Sequence, residues 1–205
     1  PRWFDEPFAD SSQIPTLLIS RFARQSVTVA LSGDGGDEVF GGYNRYAFAA
    51  RHWPPLRRLP APARHLGAAI IAAVPPRLWD LALGGIVRQA GEKAHKLAAV
   101  LPMDGLDEVY RLLTGQGVDT AGLVRGAPSP PMDAVSEVPA SLEDAVERMQ
   151  FMDTVAYLPD DILTKVDRAS MAASLEARVP LLDHELVAFA WRLPRHLKVA
   201  DGAGK

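Results

Sequence analysis

A short apolar run, Val27-Thr28-Val29-Ala30-Leu31, leads directly into Ser32-Gly33-Asp34-Gly35-Gly36-Asp37-Glu38 and then Val39-Phe40-Gly41-Gly42-Tyr43. β-branched residues in a continuous apolar run predict a strand over 27–31, buried on both faces. The segment after the turn can form a helix. Strand, glycine-rich turn and helix in that order build a site at the C-terminal end of a strand in an open α/β sheet. Glycines let backbone approach a ligand closely, and amides at a helix start suit phosphate oxygens. The carboxylates suit Mg²⁺ or a substrate amine. Together they point to nucleotide chemistry.

The turn fails the common short motifs. No Gly-Lys-Ser/Thr follows, so it is not a P-loop, and Glu38 stands where the dinucleotide fingerprint needs its last glycine. The spacing of glycine and glutamate also excludes an EF-hand. Four acidic or hydroxyl groups and three glycines in seven residues exceed what a structural turn needs.

With 205 residues, 48% of them hydrophobic, the chain can bury a core. Its net charge of −3 gives no general pull toward nucleic acid or an anionic membrane. It has no cysteine, which excludes disulfides, thiol catalysis and Cys-ligated zinc in this stretch and suits the cytoplasm. The longest apolar run, 66–74, is too short to span a bilayer. No secretory leader is visible, and both ends read as cuts in a longer chain.

Helical spacing of Ile14, Leu17, Leu18 and Phe22 predicts a helix over 12–24. Residues 51–65 mix arginines and histidines with four prolines and read as a solvated connector rather than an anion patch. Leu106, Val109, Tyr110 and Leu113 form a helical face, capped by Asp104 and stopped by Gly115. Residues 126–139 read as a proline-rich loop, and the role of 54–139 is open. A long helix should start at Ser141 and stop at Pro159, followed by one over 160–175 and one from Asp183 to Leu193. No second strand is evident. Glu176 and Arg178 read as an ion pair at a helix end. Within 157–171, Asp161, Lys165 and Arg168 share one helical face, and Asp160, Thr164 and Asp167 a neighbouring one. By spacing alone these are surface ion pairs.

Taken together, several stretches resemble the C-terminal synthetase domain of glutamine-dependent asparagine synthetases. They are 5–8, Val29 to Glu38, Phe40 to Tyr43, Tyr157 to Arg168, Ser174 to Asp183 and the closing Gly204-Lys205. They follow the family's order across the whole chain. The resemblance implies an α/β parent fold of the adenine-nucleotide α-hydrolase-like, pyrophosphatase-type ATP-binding kind. This stretch would be its mostly helical end, with the last sheet strand near 27–31. Residues 1–205 would be part of the synthetase domain. The glutaminase domain with its cysteine, and the pyrophosphate loop, would lie upstream.

The implied activity is ATP-dependent amidation of aspartate through β-aspartyl-AMP, using ammonia released from glutamine, with ATP and Mg²⁺ as cofactors. No nucleic acid or membrane partner is implied, and a homodimer is compatible. By the same resemblance Ser32 and Gly33 contact the adenylate and Asp34 serves acyl-adenylate formation. Many members carry Glu at that position, one methylene longer. Asp37 would hold Mg²⁺ and Lys205 the pyrophosphate, while Lys165, Asp167 and Arg168 line or brace the site. The 205 residues alone are expected to be inactive. Related enzymes close β-lactam rings or amidate sugar precursors by the same activation, and a non-catalytic nucleotide-binding module is the alternative of another class.

Overall fold

The computed structural model describes residues 3–5, 7–114 and 138–199. The chain divides into two compact units, 1–47 with 132–205, and 48–131.

In the first unit, α1 spans Gln13–Arg24, one residue short of the predicted start. Ser12 does not cap it with its side chain. Instead, Asp10 accepts from the Ser12 amide and hydroxyl at 2.8 and 2.7 Å, folding the entry turn. Strand β1 is Val29–Leu31, shorter than the predicted 27–31. It pairs in parallel with β2, Glu176–Arg178, in the register Val29 with Glu176 and Leu31 with Arg178. This second strand corrects the reading of Glu176 and Arg178 as a helix end. Their ion pair is real, at 2.7 Å, but joins alternate residues on one face of a strand. The expectation of burial on both faces also fails here. Among the described residues the sheet has two strands, and Val29 and Leu31 are 37% and 75% exposed.

Helix α2, Gly36–Phe40, follows the turn, and α3, Asn44–Arg51, contains the boundary between the units. In the second unit, α4 is Trp53–Arg57, α5 Ala61–Ala73, α6 Pro76–Leu83, α7 Ala90–Val100 and α8 Leu106–Thr114. Helix α7 packs on both α5 and α6. The reading of 51–65 as a solvated connector is corrected in part: the segment is mostly exposed, but it carries α4 and the start of α5, and its prolines stand at or just before the first turns of these helices, where the missing N–H costs little. Arg64 is buried rather than solvated. It donates to the carbonyl oxygens of Leu101 (3.0 Å) and Met103 and pairs with Asp104 at 2.5 Å. The Asp104 amide also donates to Glu108 in the first turn of α8 at 3.3 Å. The predicted face of α8 holds at Leu106, Val109 and Tyr110, which are buried, but not at Leu113, which is exposed. Gly115 and most of the predicted loop lie outside the described residues.

Back in the first unit, α9, Ala145–Met152, begins at Asp144 rather than Ser141. The Asp144 carboxylate accepts from the amides of Val146 and Glu147 at 2.9 and 3.2 Å, the usual work of an acidic N-cap. Pro159 does not stop the helix. A π-helical segment, Asp153–Leu163, carries the chain through it into α10, Thr164–Met171. Proline lacks an N–H and its ring crowds the carbonyl one turn back, and the wider π winding relieves both. Thr164 caps the Pro159 carbonyl with its hydroxyl at 2.9 Å. Helix α10 packs on α1, and the chain turns out of it at Ser174, which has φ +57°. Helix α11, His184–Arg192, has Asp183 as its N-cap, as the sequence predicts. The last described element is α12, Arg195–Lys198. Among the described residues no single helix is long and apolar enough to cross a membrane.

Candidate active site

The Ser32–Asp37 turn leaves the C-terminal end of the parallel strand pair. The Ser32 amide continues the ladder by donating to the Arg178 carbonyl at 2.8 Å. Its hydroxyl donates to the Asp34 carboxylate, so these two predicted site residues are brought together. Gly33 is exposed, and a Cβ placed on it would meet no atom within 4 Å. Backbone here is open to a ligand. Gly35 has φ +82°, and Leu182 occupies the space a Cβ would need. That backbone conformation itself disfavours any side chain.

Asp37 is exposed at the start of α2. Its carbonyl accepts from the amides of Gly41 and Gly42, both at 2.9 Å, and its carboxylate faces Gly42. Among the described residues no group of three His, Cys, Asp or Glu side chains could hold a metal ion by itself. Asp37 fits Mg²⁺ in the way that ion usually binds, through one or two carboxylates completed by substrate phosphates and water. Helix α2 has only five residues, so its dipole is a smaller phosphate attractor than the sequence implied.

The second constellation is built differently from its sequence reading. Lys165 is buried and reaches Asp10 at 2.6 Å, while Arg168 reaches Asp5 at 2.5 Å. Neither is local: the Lys165 pair is largely buried, the Arg168 pair remains at the surface, and both reach from α10 to the segment before α1. Asp167 is exposed. Burial alone would raise the Asp10 carboxyl, but Lys165 and Ser12 together hold it at about 2, since both favour the charged form. Asp161 is pushed up by burial and then by the negative charge of Asp10. Lys205 lies outside the described residues.

The chemistry of individual residues did not reveal the buried polar cluster under the turn. Asp153 is fully buried and accepts from Arg45 Nε (3.0 Å) and Nη2 (2.6 Å) and from the Tyr46 hydroxyl. The Arg45 guanidinium lies 3.8 Å from the Tyr43 ring centroid and 4.9 Å from that of Tyr157, within reach of the ring quadrupoles. The Tyr43 hydroxyl donates to Glu38 at 2.6 Å. Burial raises the Glu38 carboxyl against that hydrogen bond, with the charges of Asp153 and Asp37 adding to it. Burial also raises Tyr43 and Tyr46, whose phenols stay protonated. Burial opposes the charge on Arg45, yet Asp153 outweighs it and holds the guanidinium raised. The only sequence hint was the density of aromatic and charged residues in 43–46.

The whole chain, residues 1–205, matches the asparagine synthase family model. The chain belongs to the asparagine synthase family. A putative glutamine-hydrolysing asparagine synthetase of Mycobacterium bovis is 35% identical across 96% of this chain and 29% of its own length. Glutamine-hydrolysing asparagine synthetase 1 of Bacillus subtilis is 30% identical across 98% of this chain and 30% of its own. A putative synthetase of the same kind from Methanocaldococcus jannaschii is 49% identical across 33% of this chain. The chain thus spans about 30% of the length of the two relatives it matches end to end. No solved structure matches it.

Proposed function

We propose that this chain is part of the C-terminal synthetase domain of a cytoplasmic, glutamine-dependent asparagine synthetase. In this reading it amidates aspartate at the expense of ATP through β-aspartyl-AMP. Ammonia comes from glutamine hydrolysed in an N-terminal domain, and the parent fold is the pyrophosphatase-type ATP-binding α/β fold. The observation that carries the proposal is the Ser32–Asp37 turn. It lies at the C-terminal end of a parallel strand, where open α/β sheets bind ligands. Backbone is open at Gly33, the Ser32 hydroxyl lies on Asp34, and the Asp37 carboxylate is exposed.

The family names the reaction, and the geometry suggests the roles. A carboxylate is a poor electrophile, and joining it to AMP supplies a leaving group. Ser32 and Gly33 would bind and orient the adenylate, with the Ser32 hydroxyl aimed by Asp34. Asp37 would hold Mg²⁺, which offsets phosphate charge when bound. Lys205 would hold the pyrophosphate as a point charge. Lys165 and Arg168 would brace α10 against the N-terminal segment rather than touch substrate. The exposed faces of Val29 and Leu31 support a larger parent sheet, since parallel strands are normally covered on both faces. The 205 residues alone are therefore proposed to be inactive.

The test uses the full-length protein. Asp37→Ala should abolish aspartate-dependent ATP–pyrophosphate exchange while glutaminase activity persists. Near-normal exchange would remove Asp37 from the metal role. Exchange in the wild type with other carboxylic acids but not aspartate would reassign the acceptor.

A further inference from the structure

Helix α2 carries Asp37 and has five residues, too few to hold its shape alone. It is gripped from one side by α9. Gln150 is 1% exposed, and its Nε2 donates to the carbonyls of Glu38 at 2.9 Å and Val39 at 3.2 Å. One turn on, Asp153 takes Arg45 and Tyr46, which lie at the start of α3 just beyond Gly41 and Gly42. One helical face therefore holds the chain both before and after the double glycine.

This grip is a poor way to gain stability. A buried ion pair seldom outperforms apolar packing of the same volume. Gln150 Oε1 is also buried with no partner among the described residues, which adds a cost that an apolar side chain would avoid. What the arrangement does supply is direction. Two hydrogen bonds from the Gln150 amide fix α2 directly, and the bidentate Asp153 carboxylate fixes the start of α3 just beyond it, whereas apolar contacts would let both slide. We propose that Gln150 and Asp153 are positioning residues, which set the place of Asp37 and the Ser32–Asp37 turn without touching substrate.

The activity arm of the test rests on the proposed synthetase reaction, and the structural arm does not. In the full-length protein, Gln150→Met keeps the side-chain size and removes the donors. The Gly41 and Gly42 amides should then exchange with solvent at least about tenfold faster, a local opening rather than global unfolding. The rate constant of ATP–pyrophosphate exchange should fall about ten- to a hundredfold, the range expected of a small misplacement of reacting groups. Glutaminase activity should hold, and the melting temperature should fall by no more than a few degrees for the carbonyls left unpaired. Should Gln150→Met not fold, Arg45→Lys keeps the charge but gives up the bidentate grip on Asp153, and is read in the same way. Unchanged amide protection, or loss of both activities in step with melting, would overturn the inference. Lost protection in a protein whose wild type shows no exchange activity would sink the proposed function and leave this inference standing.

Discussion

Asp10→Asn tests whether the Lys165 contact is a real tie between α1 and α10. Lys165 Nζ lies 2.6 Å from Asp10, with the two side chains 10% and 18% exposed. Burial opposes the charge on Asp10, yet Lys165 and Ser12 bring its pKa from 3.8 to about 2. Because the folded value lies below the unfolded one, the pair stabilises the fold fully above about pH 4 and loses that contribution as pH falls toward 2. At about 1.36 kcal/mol per pH unit, the gap between the two values corresponds to at most roughly 2.4 kcal/mol. Solvent reaches part of the Asp10 side chain, and screening reduces this to about 1–2 kcal/mol. Opening of the α1 amides, followed by hydrogen exchange in the full-length protein and corrected for intrinsic rates, reads this directly. At pH 6 the variant should open about 5–30-fold more often than wild type. The difference should shrink to about half in free energy at pH 3 and nearly vanish at pH 2. An equal gap at pH 6 and pH 2, or none at pH 6, would refute the argument.

Two further substitutions follow from backbone geometry. Ser174 has φ +57° just past the end of α10, where the Leu175 and Ser174 amides donate to the Ser170 and Met171 carbonyls. Glycine suits that position, so Ser174→Gly should raise stability in thermal unfolding by about 0.5–1 kcal/mol, and a loss would contradict the left-handed assignment. At Gly42, an added Cβ would fall 1.9 Å from Asp37 Oδ1 and 2.7 Å from its Cγ. Gly42→Ala should leave the fold intact, because a side-chain tip can move. It should cut ATP–pyrophosphate exchange at least about tenfold if the carboxylate position matters. Full exchange would show that it does not.

What could be read from the sequence alone was whatever neighbours in the chain decide. Helix α1, the buried face of α8 and the Asp183 cap all rest on spacings of about one helical turn. The position of the glycine-rich turn rests on the run Ser32 to Asp37 itself. Tertiary structure decided the rest. Strand β2 has no strand-like pattern and exists because β1, from near the start of the chain, offers it a ladder. Pro159 would end an isolated helix, but packing against neighbours keeps the chain wound through it as a π segment. Lys165 looked like a surface charge because its partner, Asp10, lies near the opposite end of the chain, and Arg168, which is at the surface, likewise takes a distant partner in Asp5. The same holds for Gln150 and Asp153 beneath α2. A side chain's local spacing shows which face it occupies, but the partner on that face is chosen only when distant segments pack.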